Sequence, residues 1–309
     1  MTDPALSLDL CICTFRRAHI ADTLRSVAAM NKAPNLRLHI IVADNDDTPS
    51  ARNIIEEAAR ECHLDLTYIH APARNISIAR NACLAAATEK LVAFIDDDEL
   101  VSPQWLDEMT GTLQMTKADV VMGPVIAVYG ASAPQWMKDG NFHSTIPVRV
   151  NGRVTTGGSG NVLMRRDSAV IAGRRFHTDL GKSGGEDSEF FAAVQRAGGT
   201  IAFAERAIVT EEVEPARATM RWLMQRRIRY GQTHGFLILT DGGGGFVGRL
   251  TAIMLAGAKS FIFFIAALFN IINPPRMRYW LLRGALHLGV VIHLAGGRTI
   301  EPYGGGAQP

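Results

Sequence analysis

Three adjacent aspartates follow a short apolar segment in the first third of the chain. Residues 91–95 (Leu-Val-Ala-Phe-Ile) run directly into Asp96-Asp-Asp-Glu99. The β-branched and aromatic content predicts a buried strand, and ligands of open α/β sheets bind outside the carboxyl ends of the strands. Neighbouring carboxylates repel one another, so a divalent cation with phosphate oxygens would stabilise them. A solvated acidic loop is the alternative interpretation.

Two other predicted strands end in residues that could join this cluster. Residues 8–14 form a first strand that ends at Thr14 and Phe15, and residues 38–44 form a second that ends at Asp44. Strands that alternate with helices at this spacing indicate a parallel sheet covered on both faces. Because the carboxyl ends of parallel strands meet at one edge, we expect these groups beside the aspartates.

A second acidic pair, Glu186 and Asp187, precedes the amphipathic helix predicted for residues 188–196. Acidic residues are common at the start of a helix because the helix dipole favours negative charge there. The pair could therefore cap the helix or supply catalytic carboxylates, and the local sequence leaves both interpretations open.

Glycines and arginines mark two further candidate ligand contacts. Thr156-Gly-Gly-Ser-Gly-Asn161 would let the backbone approach a ligand closely, although a plain turn explains the glycines equally well. The helix predicted for residues 217–230 carries five arginines, among them Arg226 and Arg229. These arginines could hold a polyphosphate or form a solvated helix face.

The remaining segments supply the elements that must position these residues. Thr48 or Ser50 could cap a helix that ends near residue 62, and the aperiodic residues 130–152 predict a long loop. Other strands are predicted at residues 66–70, 119–128, 200–204 and 208–210, and other helices at residues 20–30, 75–87 and 103–115.

Composition excludes several classes of protein. The net charge of +2 over 309 residues argues against a general nucleic-acid binder, and no glycine precedes Gly111, which disfavours a dinucleotide-binding turn after the first strand. None of the four cysteines forms the paired CxxC sets of a structural zinc site, so we expect reduced cysteines in a cytosolic domain. Residues 1–5 lack the pattern of a signal peptide, and we expect the catalytic part to stay in the cytoplasm.

Taken together and in this order, the motifs resemble the family 2 inverting glycosyltransferases of the GT-A fold, from residue 8 to residue 235. The resemblance implies an α/β nucleotide-diphospho-sugar transferase fold, with a mostly parallel sheet flanked by helices. It also implies a UDP-sugar donor, with Asp44 accepting a hydrogen bond from the uracil ring, Arg80 near the base and ribose, and Asp96 at the ribose. The donor-binding residues that we predict are Thr14, Phe15, Asp44, Arg80, Asp96, Asp97, Asn161, Arg226 and Arg229.

The resemblance also implies roles in catalysis. Inverting transfer is an in-line displacement at the anomeric carbon, which needs a base for the acceptor hydroxyl and a cation for the departing diphosphate. By resemblance Asp187 is the base, Glu186 lies on the acceptor side, and Asp98 binds the cofactor, Mg²⁺ or Mn²⁺. Processive members carry a QxxRW motif, whereas Gln225-Arg-Arg-Ile-Arg-Tyr230 lacks the Trp at that spacing. We therefore expect the addition of a single sugar.

Within the family, the motif order, chain length and apolar tail are similar to those of rhizobial exopolysaccharide glucosyltransferases. That similarity implies β-linked transfer of glucose from UDP-glucose to a lipid-linked oligosaccharide in succinoglycan-type synthesis, at the cytoplasmic face of the inner membrane. The non-enzymatic alternative is a membrane subunit of a polysaccharide assembly complex that binds nucleotide sugar without transferring it. A sugar nucleotidyltransferase would need a Gly-rich loop after the first strand, and Thr14-Phe-Arg-Arg17 has no glycine.

The C-terminal region is apolar, and we place a domain boundary between residues 1–235 and 236–309. Residues 250–272 are long enough to span a bilayer but include Lys259. On the insertion scale, the apolar residues contribute about −5 kcal/mol and a central Lys costs about +3 kcal/mol. Residues 280–295 are amphipathic, which suits a helix in the membrane interface. A spanning helix, an interfacial helix and a soluble helical pair all remain open.

Overall fold

The computed structural model describes residues 6–31, 36–150, 153–243 and 245–301. Residues 1–5, which we predicted not to belong to a signal peptide, and residues 302–309, the end of the predicted tail, lie outside the described residues. The chain divides into two compact units. One contains residues up to 128 with 144–182 and 186–212, and the other contains residues 129–143, 183–185 and those from 213 onwards.

Strands and helices alternate up to residue 96, as predicted, and a short strand that we did not predict, Glu99–Val101, comes before the next helix. The strands are β1 (Leu6–Thr14), β2 (Leu36–Asp44), β3 (Leu66–His70), β4 (Leu91–Asp96), β5 (Glu99–Val101), β6 (Val120–Met122), β7 (Val125–Tyr129), β8 (Val148–Val150), β9 (Arg153–Thr156), β10 (Asn161–Arg165), β11 (Ile201–Phe203) and β12 (Val209–Val213). The helices are α1 (Ile20–Ala29), α2 (Arg52–Glu61), α3 (Ile76–Ala86), α4 (Trp105–Thr116), α5 (Gln135–Gly140), α6 (Glu186–Arg196), α7 (Met220–Ile238), α8 (Phe246–Phe269) and α9 (Pro274–Leu294).

The first unit is built on a seven-stranded sheet in the order β11-β6-β10-β4-β1-β2-β3. Strand β10 is antiparallel to β4 and β6, and the other four pairings are parallel. The register sets Thr14 opposite Asp44 and Cys13 opposite Asp96. The mostly parallel α/β sheet is therefore confirmed, and so is the expectation that these strand ends share one edge.

Side chains alternate along β1, so the two faces of the sheet form two separate cores. Leu8, Leu10 and Ile12 belong to the core that includes residues of α1, α2 and α4, and Cys11 and Cys13 belong to the core that includes residues of α3 and α6. All four cysteines are free, and Cys11, Cys13 and Cys83 are buried.

The start of α2 differs from the prediction. The helix begins at Arg52 with Ala51 at the N-cap position and no side-chain cap, so neither Thr48 nor Ser50 caps it. Instead, the carboxylate of Asp44 accepts a hydrogen bond from the Ala51 N–H at 3.1 Å. The carboxylate at the end of β2, seven residues earlier in the chain, therefore satisfies the N-cap N–H of α2.

The segments after α4 also differ from the prediction. Residues 119–128 were predicted as one strand but form β6 and β7, which belong to different sheets. Gly123-Pro124 separates the two strands, and proline cannot donate a hydrogen bond to a ladder. The predicted loop of residues 130–152 contains α5 and β8. Short-range sequence patterns missed α5 because a tertiary cluster stabilises it, in which Met137 packs with Leu223 and Leu282.

The second unit contains α5 and the three long helices α7, α8 and α9. Within the described residues, α8 is the one helix that is long and apolar enough to cross a membrane, with a mean hydropathy of 2.1. Helix α7 covers residues on both sides of position 235, and the boundary that we placed there stays a prediction.

Candidate active site

The β4 aspartates are held by residues from the end of β1. The Thr14 hydroxyl donates to Asp97 Oδ2 at 2.7 Å, and Arg17 forms ion pairs with Asp98 and, at 3.4 Å, with Asp97. Burial raises the pKa of Asp97 to about 7, with Arg17 opposing the rise and the Asp98 charge adding to it. A protein cation therefore offsets part of the repulsion that we expected a metal to relieve.

Arg17 is a site residue that the sequence prediction missed. It stands three positions after Thr14, and its neighbour Arg16 pairs instead with Asp46, at 2.8 Å. A basic pair directly after the first strand was the available signal. The sequence could not show which arginine faces which acidic cluster, because that depends on the positive φ of 56° at Arg16.

Glu99 is a buried carboxylate beside Asp96. Its Oε2 accepts from the Asp96 N–H at 2.8 Å, and burial, followed by the Asp96 charge, raises the pKa of Glu99 well above its ordinary value. A Cβ on Gly160 would lie 2.6 Å from Glu99 Oε1 and 3.1 Å from Asp96 Oδ2. Glycine is therefore required at this position so that the two carboxylates can pack against the loop.

Arg80 joins the β4 cluster to the start of α6. Its guanidinium pairs with Glu186, lies 3.5 Å from Asp96 and stacks 5.6 Å from the centroid of the Phe176 ring. Although burial opposes the charge, Glu186 and Asp96 raise the pKa of Arg80 above its ordinary value. Helix α3 thus supplies a buried, permanently charged cation between the two acidic groups.

Glu186 is buried and only partly satisfied. Burial raises its pKa to about 7, against the effect of Arg80 and with a further rise from Asp187. Its Oε1 pairs with Arg80, while its Oε2 is buried without a hydrogen-bond partner among the described residues. A buried carboxylate oxygen without a donor is rare and marks a position where a proton or a ligand would be stabilising.

Asp187 has one engaged oxygen and one beside a glycine. Its Oδ1 accepts from the Ser188 N–H at 2.6 Å and lies 3.4 Å from the Ser188 hydroxyl. A Cβ on Gly158 would stand 3.1 Å from Oδ2. The glycine-rich segment therefore lies against the carboxylate predicted to be the base, and its missing side chain leaves space at that oxygen.

Asp44 and Phe15 lie at the neighbouring strand ends. Asp44 is fully buried and accepts from the Tyr68 hydroxyl at 2.8 Å and from the backbone of Asp46 and Ala51, both at 3.1 Å. Phe15 is half-buried, with the Arg16 guanidinium 5.0 Å from its ring centroid. The contact between Asp44 and uracil stays a prediction, and three protein donors already occupy this carboxylate.

Asn161 lies beneath the same edge. Its amide donates to the carbonyls of Pro124 at 3.0 Å and Ala207 at 2.7 Å, and its oxygen accepts from Trp105 Nε1 at 2.8 Å. The residue is buried, so these bonds fix the path of the chain around β10. Its donor-binding role stays a prediction.

Arg226 and Arg229 belong to the second unit. Arg226 donates to the Tyr230 hydroxyl at 2.7 Å and to the His143 carbonyl at 3.1 Å. Its guanidinium lies 5.2 Å from the centroid of the Trp222 ring, and that of Arg229 lies 5.9 Å from the Tyr230 ring. Their predicted contact with the donor stays a prediction.

The chemistry of the β4 cluster fits a hard divalent cation. No group of three or more His, Cys, Asp or Glu side chains arranged to hold a metal occurs among the described residues. Mg²⁺ and similar ions are commonly held by one or two carboxylates together with substrate phosphates. Asp96, which is nearly half exposed, and Asp98 supply that number of carboxylates at the sheet edge.

Comparison with known sequences decides the family. The sequence profile of glycosyl transferase family 2 matches residues 9–170, and that of glycosyl transferase family group 2 matches residues 91–294. The chain is 48% identical over 304 residues to the succinoglycan biosynthesis protein ExoM of Rhizobium meliloti (strain 1021), covering 98% of each chain. The chain belongs to glycosyl transferase family 2. This confirms the family and the enzyme class, a glycosyltransferase, expected from the sequence.

Solved structures share the fold of this family 2 glycosyltransferase. The mannosyltransferase PcManGT from Pyrobaculum calidifontis, in complex with GDP-Man and Mn²⁺, has a TM-score of 0.62 at 18% identity, covering 94% of this chain and 88% of that one. S. aureus TarS 1–349, in complex with UDP-GlcNAc, has a TM-score of 0.54 at 16% identity, covering 98% of this chain and 100% of that one. A longer S. aureus TarS chain is matched over 55% of its length. The GT-A-like fold is thereby confirmed.

Proposed function

We propose that this glycosyltransferase moves a single glucose from UDP-glucose, with inversion, onto a lipid-linked oligosaccharide in succinoglycan-type exopolysaccharide synthesis. The observation that carries the proposal is the convergence of Asp96, Arg80, Glu186 and Asp187 at one edge of the sheet. In this cluster the buried Arg80 pairs both with Asp96, a predicted donor-binding residue, and with Glu186, the neighbour of the predicted base. The similarity to ExoM, a succinoglycan biosynthesis protein, supports the pathway.

The donor is proposed to bind along the ends of β1 and β4. Thr14 positions Asp97 through its hydroxyl, and Arg17 holds Asp97 and Asp98. Asp96 is the most exposed of the three aspartates and is therefore available to a ribose hydroxyl. In this arrangement Asp97 shapes the pocket from beneath, and Asp96 and Asp98 face the ligand.

A Mg²⁺ or Mn²⁺ ion is proposed to be held by Asp98, with the donor phosphates as further ligands. Such an ion supplies charge stabilisation for the departing diphosphate. Arg17 would meanwhile orient the Asp98 carboxylate through their ion pair.

Asp187 is proposed to take the proton from the acceptor hydroxyl. Its Oδ1 is fixed by the Ser188 N–H, which leaves Oδ2, beside Gly158, to face the acceptor. Glu186, the first residue of α6, accepts a hydrogen bond from Arg80 through Oε1. Its Oε2, which has no hydrogen-bond partner among the described residues, is available to a second acceptor hydroxyl. A sugar hydroxyl is a donor of the kind that this buried oxygen lacks.

The acceptor is proposed to reach the site from the cytoplasmic face of the inner membrane. Helix α8 carries large exposed apolar side chains, including Phe246, Phe261 and Phe269, which would be unfavourable in water. A lipid-linked acceptor and an apolar surface on the enzyme both favour reaction at a membrane.

Incubation of the purified full chain with a panel of labelled nucleotide sugars and membrane lipid extract tests the proposal. We expect label to enter the lipid fraction from UDP-glucose, and Asp187→Asn to abolish the transfer. Label from another sugar would overturn the donor, and donor binding without transfer from any sugar would favour the non-enzymatic subunit.

A further inference from the structure

Helix α8 is apolar on the face that points away from its neighbours. Small or hydroxyl-bearing residues, Ala256, Ser260 and Ala267, form its buried positions, and the Ser260 hydroxyl donates to the Gly284 carbonyl of α9 at 3.0 Å. The exposed large side chains are separated by one or two helical turns, and they are Phe246, Val247, Leu250, Met254, Leu255, Phe261, Ile262, Leu268 and Phe269. We call this set the α8 apolar face.

The part of the chain that contains α8 and α9 carries basic side chains and no acidic ones. Residues 242–300 contain six Arg or Lys residues and no Asp or Glu. Arg276 and Arg283 are exposed on α9, and Lys259 is exposed on α8 itself. An apolar helix face flanked by basic side chains is complementary to a bilayer surface that contains anionic lipids.

Helix α9 packs against both other long helices of the second unit; it is parallel to α7, with Gly231 beside Leu286 and Gly235 beside His293, and antiparallel to α8. Near the start of α8, Arg249 Nε donates to the Leu294 carbonyl at the end of α9, at 2.5 Å. Towards the end of α8, the Phe263 ring stacks on Trp280 near the start of α9, with 5.4 Å between centroids. Helix α9 is therefore antiparallel to α8 over most of its length.

Helix α9 is locked to α7 by two glycines. A Cβ on Gly231 of α7 would collide with the Leu286 carbonyl of α9, and a Cβ on Gly289 of α9 would collide with the Ile228 carbonyl of α7. The backbones are thus in direct contact, as in membrane and soluble helix pairs that use small residues for close approach. A movement of α8 across a bilayer would have to take α9, and with it α7, or break the contacts between α8 and α9.

The partner helices are too basic to cross a bilayer. On insertion scales an arginine at mid-bilayer costs about five to ten times what one leucine or isoleucine contributes. The arginines of α7 and α9 are Arg221, Arg226, Arg227, Arg229, Arg276, Arg278 and Arg283. Four of them, Arg226, Arg227, Arg229 and Arg283, lie six or more residues from either end of their helices, and the cost of these four outweighs the apolar side chains of α8.

We propose that α8 lies in the plane of the membrane, with its apolar face among the acyl chains and both of its ends on the same side of the bilayer. The occupant of this face is an anionic phospholipid surface. The inference rests on the membrane association in the proposed function and gives it a geometry, a docked helix in place of a spanning one.

Cysteine labelling at the two ends of α8 tests the topology. Gly245→Cys and Arg276→Cys are exposed positions that flank the helix, and Cys62→Ala removes the one cysteine that is not buried. In sealed inverted and right-side-out vesicles, we expect a membrane-impermeant maleimide to label both positions from the same side. Labelling from opposite sides would show a spanning helix and overturn the proposal.

Vesicle sedimentation of the purified full chain tests the occupant. With phosphatidylcholine vesicles that contain 30% phosphatidylglycerol (a composition of about physiological anionic charge), we expect Met254→Glu with Phe261→Glu to reduce binding at least tenfold. Met115→Glu, a matched exposed methionine on α4, should leave binding unchanged. If the double variant binds vesicles like the wild type but loses self-association, a second copy covers the face and the proposal is wrong.

The test separates this inference from the proposed function. Labelling and sedimentation do not depend on sugar transfer, so same-side labelling in a protein that transfers no glucose would support docking and refute only the proposed reaction. Normal transfer of glucose to a lipid acceptor together with labelling from opposite sides would support the proposed reaction and refute only the docking of α8.

Discussion

The strands on either side of β1 both end in acidic runs, Asp44-Asn-Asp-Asp47 after β2 (the β2 run) and Asp96-Asp-Asp-Glu99 after β4 (the β4 run). The carboxylates of the two runs have different partners. After β2, protein groups satisfy every carboxylate: Asp44 accepts from three donors, Asp46 pairs with Arg16, and Asp47 pairs with Arg74. Burial alone would raise the pKa of Asp46, but hydrogen bonds from Ser50 and Arg16 outweigh it and lower that pKa.

Two arginines pair with the run after β4, and Arg80 is the one that lies beside Asp96, at 3.5 Å. Burial raises the pKa of both Asp97 and Glu99, and Arg17 is the cation that holds Asp97 and Asp98. A carboxylate with a raised pKa is one whose charge the protein has not fully compensated. We infer that the β2 run stabilises the fold, and we propose that the β4 run faces a ligand that brings positive charge or hydrogen-bond donors.

The largest expected effect concerns Asp187, the proposed catalytic base. We predict that Asp187→Asn lowers kcat by about 10²- to 10⁴-fold, the usual contribution of a general base, with little change in donor affinity. If Asp187 only caps α6, stability should change by about 0.5 to 1 kcal/mol and activity should persist. Single-turnover rate, donor affinity and melting temperature, measured on this variant, distinguish a catalytic base from a helix cap. A rate within tenfold of wild type would contradict Asp187 as the base and make Glu186 the next candidate.

The next effect tests whether the β4 run binds the metal and the diphosphate. We predict that Asp98→Ala weakens UDP binding in Mn²⁺ by at least roughly 10- to 100-fold, a loss typical even of outer-shell metal partners. Calorimetry with UDP, in Mn²⁺ and in EDTA, measures this. Equal affinity in EDTA for the wild-type protein would contradict a metal-dependent site.

A smaller effect tests the structural role of the β2 run. Asp44→Asn removes a charge that accepts three buried hydrogen bonds, and we predict a loss of about 1 to 3 kcal/mol in the free energy of unfolding. Asp47→Asn is the control, since its exposed pair with Arg74 should contribute under about 1 kcal/mol. Urea denaturation measures both, and a parallel UDP titration tests the predicted uracil contact.

The smallest effect is a difference in pH dependence between the two regions. Because the pKa of Glu186 is raised from 4.5 to about 7, its contribution to stability is complete below pH 4.5 and is lost as pH rises towards 7. The pKa of Asp46 is lowered, so its contribution is complete above the ordinary value and is lost as pH falls. Melting temperatures measured between about pH 3 and 8, which includes the ordinary pKa values of Asp and Glu, test this difference. We expect the melting temperature of Glu186→Gln to increase relative to that of wild type as pH rises. The melting temperature of Asp46→Asn should increase relative to that of wild type as pH falls. If the melting temperatures of both variants follow the wild type in parallel across this range, the two regions do not differ in pH dependence.

Local patterns predicted the elements of the first hundred residues well. Strands β3 and β4 have the predicted bounds, and the register that aligns Thr14, Asp44 and Asp96 follows from parallel pairing. Patterns failed where tertiary contacts decide the local structure, as in the division of residues 119–128 into two strands and the formation of α5.

The sequence by itself determined the α/β alternation, the family and the acidic groups at the strand ends, because hydrophobic periodicity and residue type are local properties. Only the tertiary structure decided which charges are compensated. Arg17 meets Asp98 across more than 80 residues of chain, and Arg80 meets Glu186 across more than 100. Electrostatic pairing depends on distance in space and on burial, and neither is encoded in the spacing of residues along the chain.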